Sequence, residues 1–251
     1  MLVMGILNIT PDSFADGGRH SSFEAAVKRG REMIAENVDI IDIGGESTRP
    51  GAGRVSEAEE FARVIPVIIE LAKDGVRMSI DTMRASIARA AISAGAQMIN
   101  DVSGGLADPA MLMTAAELET PYIAMHWRGQ SKDMDSLAVY TNVVDDVISE
   151  LGERINAALD AGVIKDNLII DPGIGFAKDA GQNWEIINKI DKFVELGYPV
   201  LIGASRKRFL GGDTPDEREN ATIALTKRLS STGIWGVRVH SVKPNIDALS
   251  T

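Results

Sequence analysis

Residues 77–101 read RMSIDTMRASIARAAISAGAQMIND. Two short apolar runs, Arg77–Asp81 and Gln97–Asp101, bracket a gap that fits one helix, and each run ends in Asp or Asn. The same unit recurs along the chain. Strand-like runs also stand at Leu2–Ile9, Ile40–Gly44, Tyr122–His126, Leu168–Asp171, Val200–Ser205 and Trp235–His240, eight in all. Their carboxyl ends carry Asn8, Asp42 with Glu46, Asp81, Asn100 with Asp101, His126, Asp171, Ser205 to Lys207, and Arg238 with His240. One polar residue at a strand end is ordinary. Eight in register predict a ring of chemistry on one face, as at the carboxyl-terminal mouth of a (β/α)8 barrel.

The runs are near-continuous Val, Ile, Leu and Met rather than alternating, which predicts parallel strands covered on both faces. Helical stripes fill the gaps: Phe23, Ala26, Val27, Gly30, Met33 and Ile34, then Ala58, Phe61, Ala62, Ile65, Ile68 and Ile69. Ser56 with Glu59 reads as a capping box. A long stripe from Val144 to Leu159 is expected to stop at Gly162, and another from Trp184 to Val194 at Gly197. A doubly wound sheet would gather its chemistry at one switch point. The expectation is a single TIM-barrel domain over 1–251, with its active site at the carboxyl ends of the strands.

At 251 residues and 45% hydrophobic, the chain fits one such barrel with a large core. No apolar run approaches the ~20 residues that span a bilayer, and the start resembles no signal peptide. The chain has no cysteine, which excludes disulfides, thiolate metal sites and a cysteine nucleophile, and favours a cytoplasmic setting. A net charge of −10 argues against nucleic acid as a partner. Anionic substrates stay open to it because Arg206, Lys207 and Arg208 are consecutive.

Two loops after strands are rich in Pro, Gly and polar residues: Asn8 to Arg19, with Phe14 and Asp16, and Gly44 to Gly53, with Thr48, Arg49 and Pro50. Each reads either as a capped, solvated loop or as part of a site. The second offers a hydroxyl, a guanidinium and backbone N–H groups, which suit an anion. Asp81, Asn100 and Asp171 each end a strand and either cap the next helix or face one cavity together. Facing one cavity, beside Lys207, they would hold a heterocycle that presents N–H donors. A metal cluster is the weaker alternative, since no His/Asp/Glu set has close spacing. The three cations at Arg206–Arg208 precede a helical region and read as an anion site. Arg238 and His240 are two apart on one strand, so they point the same way. His126 is ambiguous and His20 is expected at the surface.

Six blocks in order resemble the signature of the dihydropteroate synthase family: Gly5–Phe14, Gly44–Gly51, Asn100–Gly105, Asp171–Phe176, Ser205–Phe209 and Arg238–His240. The resemblance covers essentially the whole chain. It implies condensation of 6-hydroxymethyl-7,8-dihydropterin pyrophosphate with para-aminobenzoate, assisted by Mg2+. It further implies that Asn8 contacts the magnesium, that Asp81, Asn100, Asp171 and Lys207 hold the pterin, and that Thr48, Arg49, Arg238 and His240 bind pyrophosphate. Phe14, Pro50, Phe176 and the Lys207–Arg208 backbone would line the aminobenzoate pocket, with Asp16, Asp171 and Lys207 acting on the reacting state. Family members are usually homodimers through late helices, and a short last helix after His240 would weaken that expectation. Ser241 stands where the family commonly has Asp, and Arg208 where many members have Ser. The rival readings are a non-catalytic pterin-binding paralogue and a methyltetrahydrofolate-dependent corrinoid methyltransferase.

Overall fold

The computed structural model describes residues 1–9, 18–46, 54–130 and 134–250. Eight strands form one parallel sheet: β1 (Leu2–Asn8), β2 (Ile40–Gly44), β3 (Met78–Asp81), β4 (Met98–Asp101), β5 (Tyr122–Met125), β6 (Leu168–Asp171), β7 (Leu201–Ile202) and β8 (Gly236–Val239). Neighbours in sequence pair from β1 to β6, and β8 pairs with both β7 and β1. The ring closes between β6 and β7 through one bridge, Ile170 with Val200, next to a 2.9 Å bond from Ile170 N to Pro199 O. Outside lie α1 (Gly18–Ala35), α2 (Glu57–Ala72), α3 (Ala85–Ala94), α4 (Met111–Glu117), α5 (Val143–Asp160), α6 (Ala180–Asn188), α7 (Asp191–Val194), α8 (Glu219–Leu229) and α9 (Val242–Leu249). This is the expected TIM barrel. Among the described residues no helix is long and apolar enough to cross a membrane.

Strand parity decides what enters the barrel, because alternate side chains point to opposite faces. Met4, Ile40, Met98, Ile123, Ile169 and Leu201 form one apolar cluster inside the ring. Ile41, Ile43, Met78, Ile80, Ile99, Ala124, Leu168, Ile170 and Ile202 belong to the larger core beneath the helices. Two residues beyond the inner apolar layer, the same parity brings in Asp42, Asn100 and Asp171, and likewise Asp81 and Arg238. Asp101 and His126 have the outward parity. The fold thus sorts the polar strand ends into two sets before any side-chain contact is considered.

Helix details depart from expectation in places. The α2 stripe is rotated: Glu60, Val64, Val67, Ile68 and Leu71 are buried, whereas Phe61 and Ile69 are about half exposed. Ser56 caps α2 by accepting from Glu59 N at 3.2 Å. The return half of the capping box is missing, because the Glu59 carboxylate pairs with Arg63 instead. A complete capping box occurs at Asp179 and Gln182, ahead of α6. The stripe from Trp184 to Val194 is two helices, broken at Lys189, whose φ of −117° and ψ of 31° are not helical. Gly162 ends α5 as expected, at φ +98° with its N–H on Leu159 O.

Candidate active site

Asp42, fully buried on β2, is the hub of the inner polar layer. One carboxylate oxygen accepts from Ser79 Oγ; the other accepts from Asn100 Nδ2 at 3.0 Å and Arg238 Nε at 2.5 Å. Arg238 Nη2 reaches Asp81 Oδ2 at 2.7 Å. One network therefore spans β8, β2, β3 and β4. Burial pushes the Asp81 carboxyl up to about 7 even though Arg238 pulls the other way. Arg238 pays a burial penalty, yet Asp42 and Asp81 hold it above its ordinary value.

Neither Asp81 nor Asn100 nor Asp171 caps the helix that follows it. Arg84, Ala110 and Asp179 occupy those N-cap positions. Asp171 Oδ1 accepts from Gly173 N at 2.7 Å, and its Oδ2 lies close to Gly203 on the strand-seven side. Burial raises its pKa, against the pull of Lys207. Lys207 turns inward: its ammonium donates to Ile174 O and sits 4.3 Å from the Phe176 ring centroid. Burial lowers the Lys207 pKa to about 7; Asp171 opposes the shift and Arg238 adds to it.

Of the three consecutive cations only Lys207 turns toward this set of polar residues. Arg206, at φ +58°, bonds Glu219 Oε2 at 2.6 Å and Ser241 Oγ at 2.8 Å. Ser241 thereby acquires a definite role at the end of β8. Arg208 is exposed. The helical region expected after it is a single 3₁₀ turn, Arg208–Leu210, ended by Gly211 and Gly212 at positive φ. His240 is held by Ser205, whose hydroxyl lies 3.0 Å from Nδ1 and accepts from the His240 N–H at 3.2 Å. Asn8 ends β1 opposite Gly44, where an added Cβ would lie 3.5 Å from both Asn8 Oδ1 and Asp81 Oδ2. Phe14, Asp16, Thr48, Arg49 and Pro50 lie outside the described residues.

The outward set does other work. Asp101 accepts from Ser103 N, Ser103 Oγ, Gly105 N and Tyr122 OH at 2.7–2.8 Å and so pins the loop after β4. His126 contacts Lys178 Nζ through Nδ1 and Glu150 through Nε2, both at 2.9 Å. Burial, with repulsion from Lys178, lowers the His126 pKa to about 4, while hydrogen bonding from His126 holds Glu150 near about 2. Unfolded histidine binds its proton near 6.5, so between pH 6.5 and 4 the unfolded state carries more protons and stability is lost as the pH is lowered. The His126 share is expected to be on the order of 3 kcal/mol. Asp81 titrates in the opposite sense over the same range. The readout is therefore the difference in urea midpoint between wild type and His126→Gln at pH 7 and pH 4.5. A gap that does not change with pH would remove His126 from acid sensitivity.

Gly173 and Gly175 require their glycines, with φ of +68° and +79°. A Cβ at Gly173 would overlap the His126 carbonyl oxygen, and one at Gly175 would come 2.5 Å from Lys207 Cδ. Gly173→Ala is expected to cost about 2–4 kcal/mol, from left-handed backbone strain plus a clash with rigid main chain. Thermal denaturation checks it.

Asp42 stands at a strand end in the sequence without an evident site role, and Ser79 and Lys178 carry no motif that marks them. A signal for Asp42 existed. An Asp inside Ile40-Ile41-Asp42-Ile43, with inward parity and no helix start beside it, calls for a buried partner.

The fold and this polar layer define a barrel that can grip a small, flat, hydrogen-bonding ligand at its mouth. A family model described as "Pterin binding enzyme" matches residues 4–240. The dihydropteroate synthase of Mycobacterium leprae is 46% identical over 98% of this chain and 90% of its own length. The Xanthomonas albilineans dihydropteroate synthase solved with 4-aminobenzoic acid superposes with a TM-score of 0.93 at 44% identity, covering 99% of this chain and 90% of that one. The same bacterium's enzyme in complex with 7,8-dihydropteroate gives 0.90 at 40%, over 99% and 91%. This chain belongs to the dihydropteroate synthase family of pterin binding enzymes.

Proposed function

We propose that this protein joins 6-hydroxymethyl-7,8-dihydropterin pyrophosphate to para-aminobenzoate, giving 7,8-dihydropteroate and pyrophosphate. The observation that carries the reading is that Asp81, Asn100 and Asp171, from β3, β4 and β6, are buried on the inward face at the strand ends, with the half-buried Lys207 of the segment after β7 turned toward Asp171. Carboxylates there accept ring N–H groups, the Asn100 amide offers a donor and an acceptor, and Lys207 donates to a ring oxygen or nitrogen.

The exocyclic carbon–oxygen bond breaks and pyrophosphate leaves with the electron pair. Positive charge that develops on the carbon faces Asp171, with Asp16 as a second carboxylate suggested by the family motif. The neutral arylamine then forms the carbon–nitrogen bond and loses a proton to solvent. A neutral amine needs no strong base, so electrostatic stabilisation of the cation and of the departing anion carries the rate. Arg238 and His240 lie on the strand-eight side for that anion, joined in the proposal by Thr48 and Arg49. Phe176, Phe14, Pro50 and the backbone at Lys207–Arg208 would wall the arylamine.

Mg2+ fits as a partner of the substrate rather than of a protein cage. Among the described residues no group of three or more His, Cys, Asp or Glu could hold a metal. Asn8 supplies an oxygen at the mouth, and Mg2+ is commonly held by one or two protein oxygens with phosphates and water. When bound it would neutralise pyrophosphate charge. Chelation with EDTA is expected to stop turnover and added Mg2+ to restore it, with dihydropteroate followed by mass spectrometry. If wild type binds pterin but never yields that mass, the non-catalytic paralogue is the correct reading. The proposal extends to a homodimer in the cytoplasm, and sedimentation velocity measures the dimer directly.

A further inference from the structure

The turn after β6, Gly173–Ala177, is built almost without backbone partners. Gly173 N bonds Asp171 Oδ1 at 2.7 Å, Gly175 N bonds Asn183 Oδ1 at 2.6 Å, and Ile174 O accepts from Lys207. Gly173 O and Phe176 O both accept from Lys178 Nζ at 3.0 Å. Among the described residues only Phe176 N finds main chain, Gly173 O at 3.1 Å. Three of the five residues have positive φ: Gly173, Gly175 and Ala177. Glycine supplies two of these three left-handed positions, but with a single main-chain hydrogen bond the turn is held in place by side chains.

Lys178 is the side chain that closes it. Its ammonium is buried and spends its three donors on Gly173 O, Phe176 O and His126 Nδ1. Nδ1 must then be the acceptor, which leaves the proton on Nε2 for Glu150. Arg128 grips the same Glu150 carboxylate, and its guanidinium lies 3.7 Å above the Tyr140 ring. The Tyr140 hydroxyl donates to Ala177 O at 2.9 Å, the residue before Lys178. The contacts make a closed circuit through Lys178, His126, Glu150, Arg128, Tyr140 and Ala177, anchoring the turn to β5 and α5. The other charges facing Lys178 are Asp171 and Lys207.

We infer that Lys178 is a positioning residue for the arylamine side of the site: it fixes the Gly173–Ala177 turn and so holds the Phe176 ring over Lys207. The inference rests on the proposed function only in assigning Phe176 to the arylamine wall.

Lys178→Met keeps the stem and removes the ammonium. It is expected to raise the KM for para-aminobenzoate about tenfold, because the turn loses the ammonium from Gly173 O and Phe176 O yet keeps its bonds to Asp171, Asn183 and Lys207. The Kd of the pterin alone should change less than about twofold, and kcat at saturating aminobenzoate should hold. Hydrogen–deuterium exchange of the segment 173–178 should quicken while that of β6 does not. Tyr140→Phe breaks the circuit at its far end without emptying the core. It should give a smaller rise in the same KM, which covers the case in which Lys178→Met does not fold. Parallel losses for both substrates, or a fall in thermal stability with unchanged KM and exchange, would overturn the inference. If wild type forms no dihydropteroate, the functional proposal fails, while the exchange comparison still decides whether Lys178 fixes the turn.

Discussion

Replacing Asp171 by asparagine is expected to lower turnover about 10²–10³-fold, the loss seen when one preorganised electrostatic group is removed from a reacting centre. The substitution keeps the shape of the side chain, and its amide oxygen can still accept from Gly173 N. What disappears is a negative charge beside the carbon that becomes cationic. Such an interaction is stronger in the transition state than with bound substrate, so kcat should fall by more than the KM for the pterin substrate rises. Steady-state kinetics at saturating aminobenzoate reads both. Wild-type turnover in Asp171→Asn would leave the site without its proposed cation-stabilising group.

The second large effect is on stability. Asp42→Ala is expected to destabilise the fold by about 3–5 kcal/mol, the range for removing one partner of a buried charge pair. Arg238 Nε, Asn100 Nδ2 and Ser79 Oγ would all lose their acceptor at once, at a fully buried position. Arg238 would keep only Asp81. Urea denaturation at neutral pH measures the loss, and a cost under about 1 kcal/mol would show that water replaces the carboxylate. The same variant is expected to bind pterin poorly even where it remains folded, because Asn100 and Asp81 are aligned through Asp42 and Arg238.

Both effects follow from strand parity, which the sequence carries openly. Apolar runs that end in a polar residue put Asp81, Asn100, Asp171, Arg238 and His240 at the mouth of the barrel. The same rule separates Asn100 from Asp101 and sends His126 outward, although grouping residues by strand end alone could not make that distinction. Asp42 was legible too: a charged residue two places beyond an inward Ile needs a partner, and Arg238 is its partner across the ring. Lys178 was not legible. It sits beyond Phe176 in a loop, and its importance comes from backbone carbonyls and from His126, 52 positions earlier in the chain. The extended run Val200–Ser205 gave only two ladder residues, because β6 and β7 meet at a single bridge and the chain turns away at Gly203. The cation cluster at Arg206–Arg208 divided for a reason that spacing does not encode: Arg206 takes a left-handed backbone conformation that directs it to Glu219 and Ser241.

The central claim is that the inner polar layer is the pterin seat. A crystal structure of the protein soaked with 7,8-dihydropteroate tests it most directly. The predicted result is a pterin ring within hydrogen-bonding distance of Asp81, Asn100, Asp171 and Lys207, above the apolar layer of Met4, Ile40, Met98, Ile123, Ile169 and Leu201, with the aryl group against Phe176. A pterin bound elsewhere, with the Asp42–Arg238–Asp81 layer untouched, would contradict it.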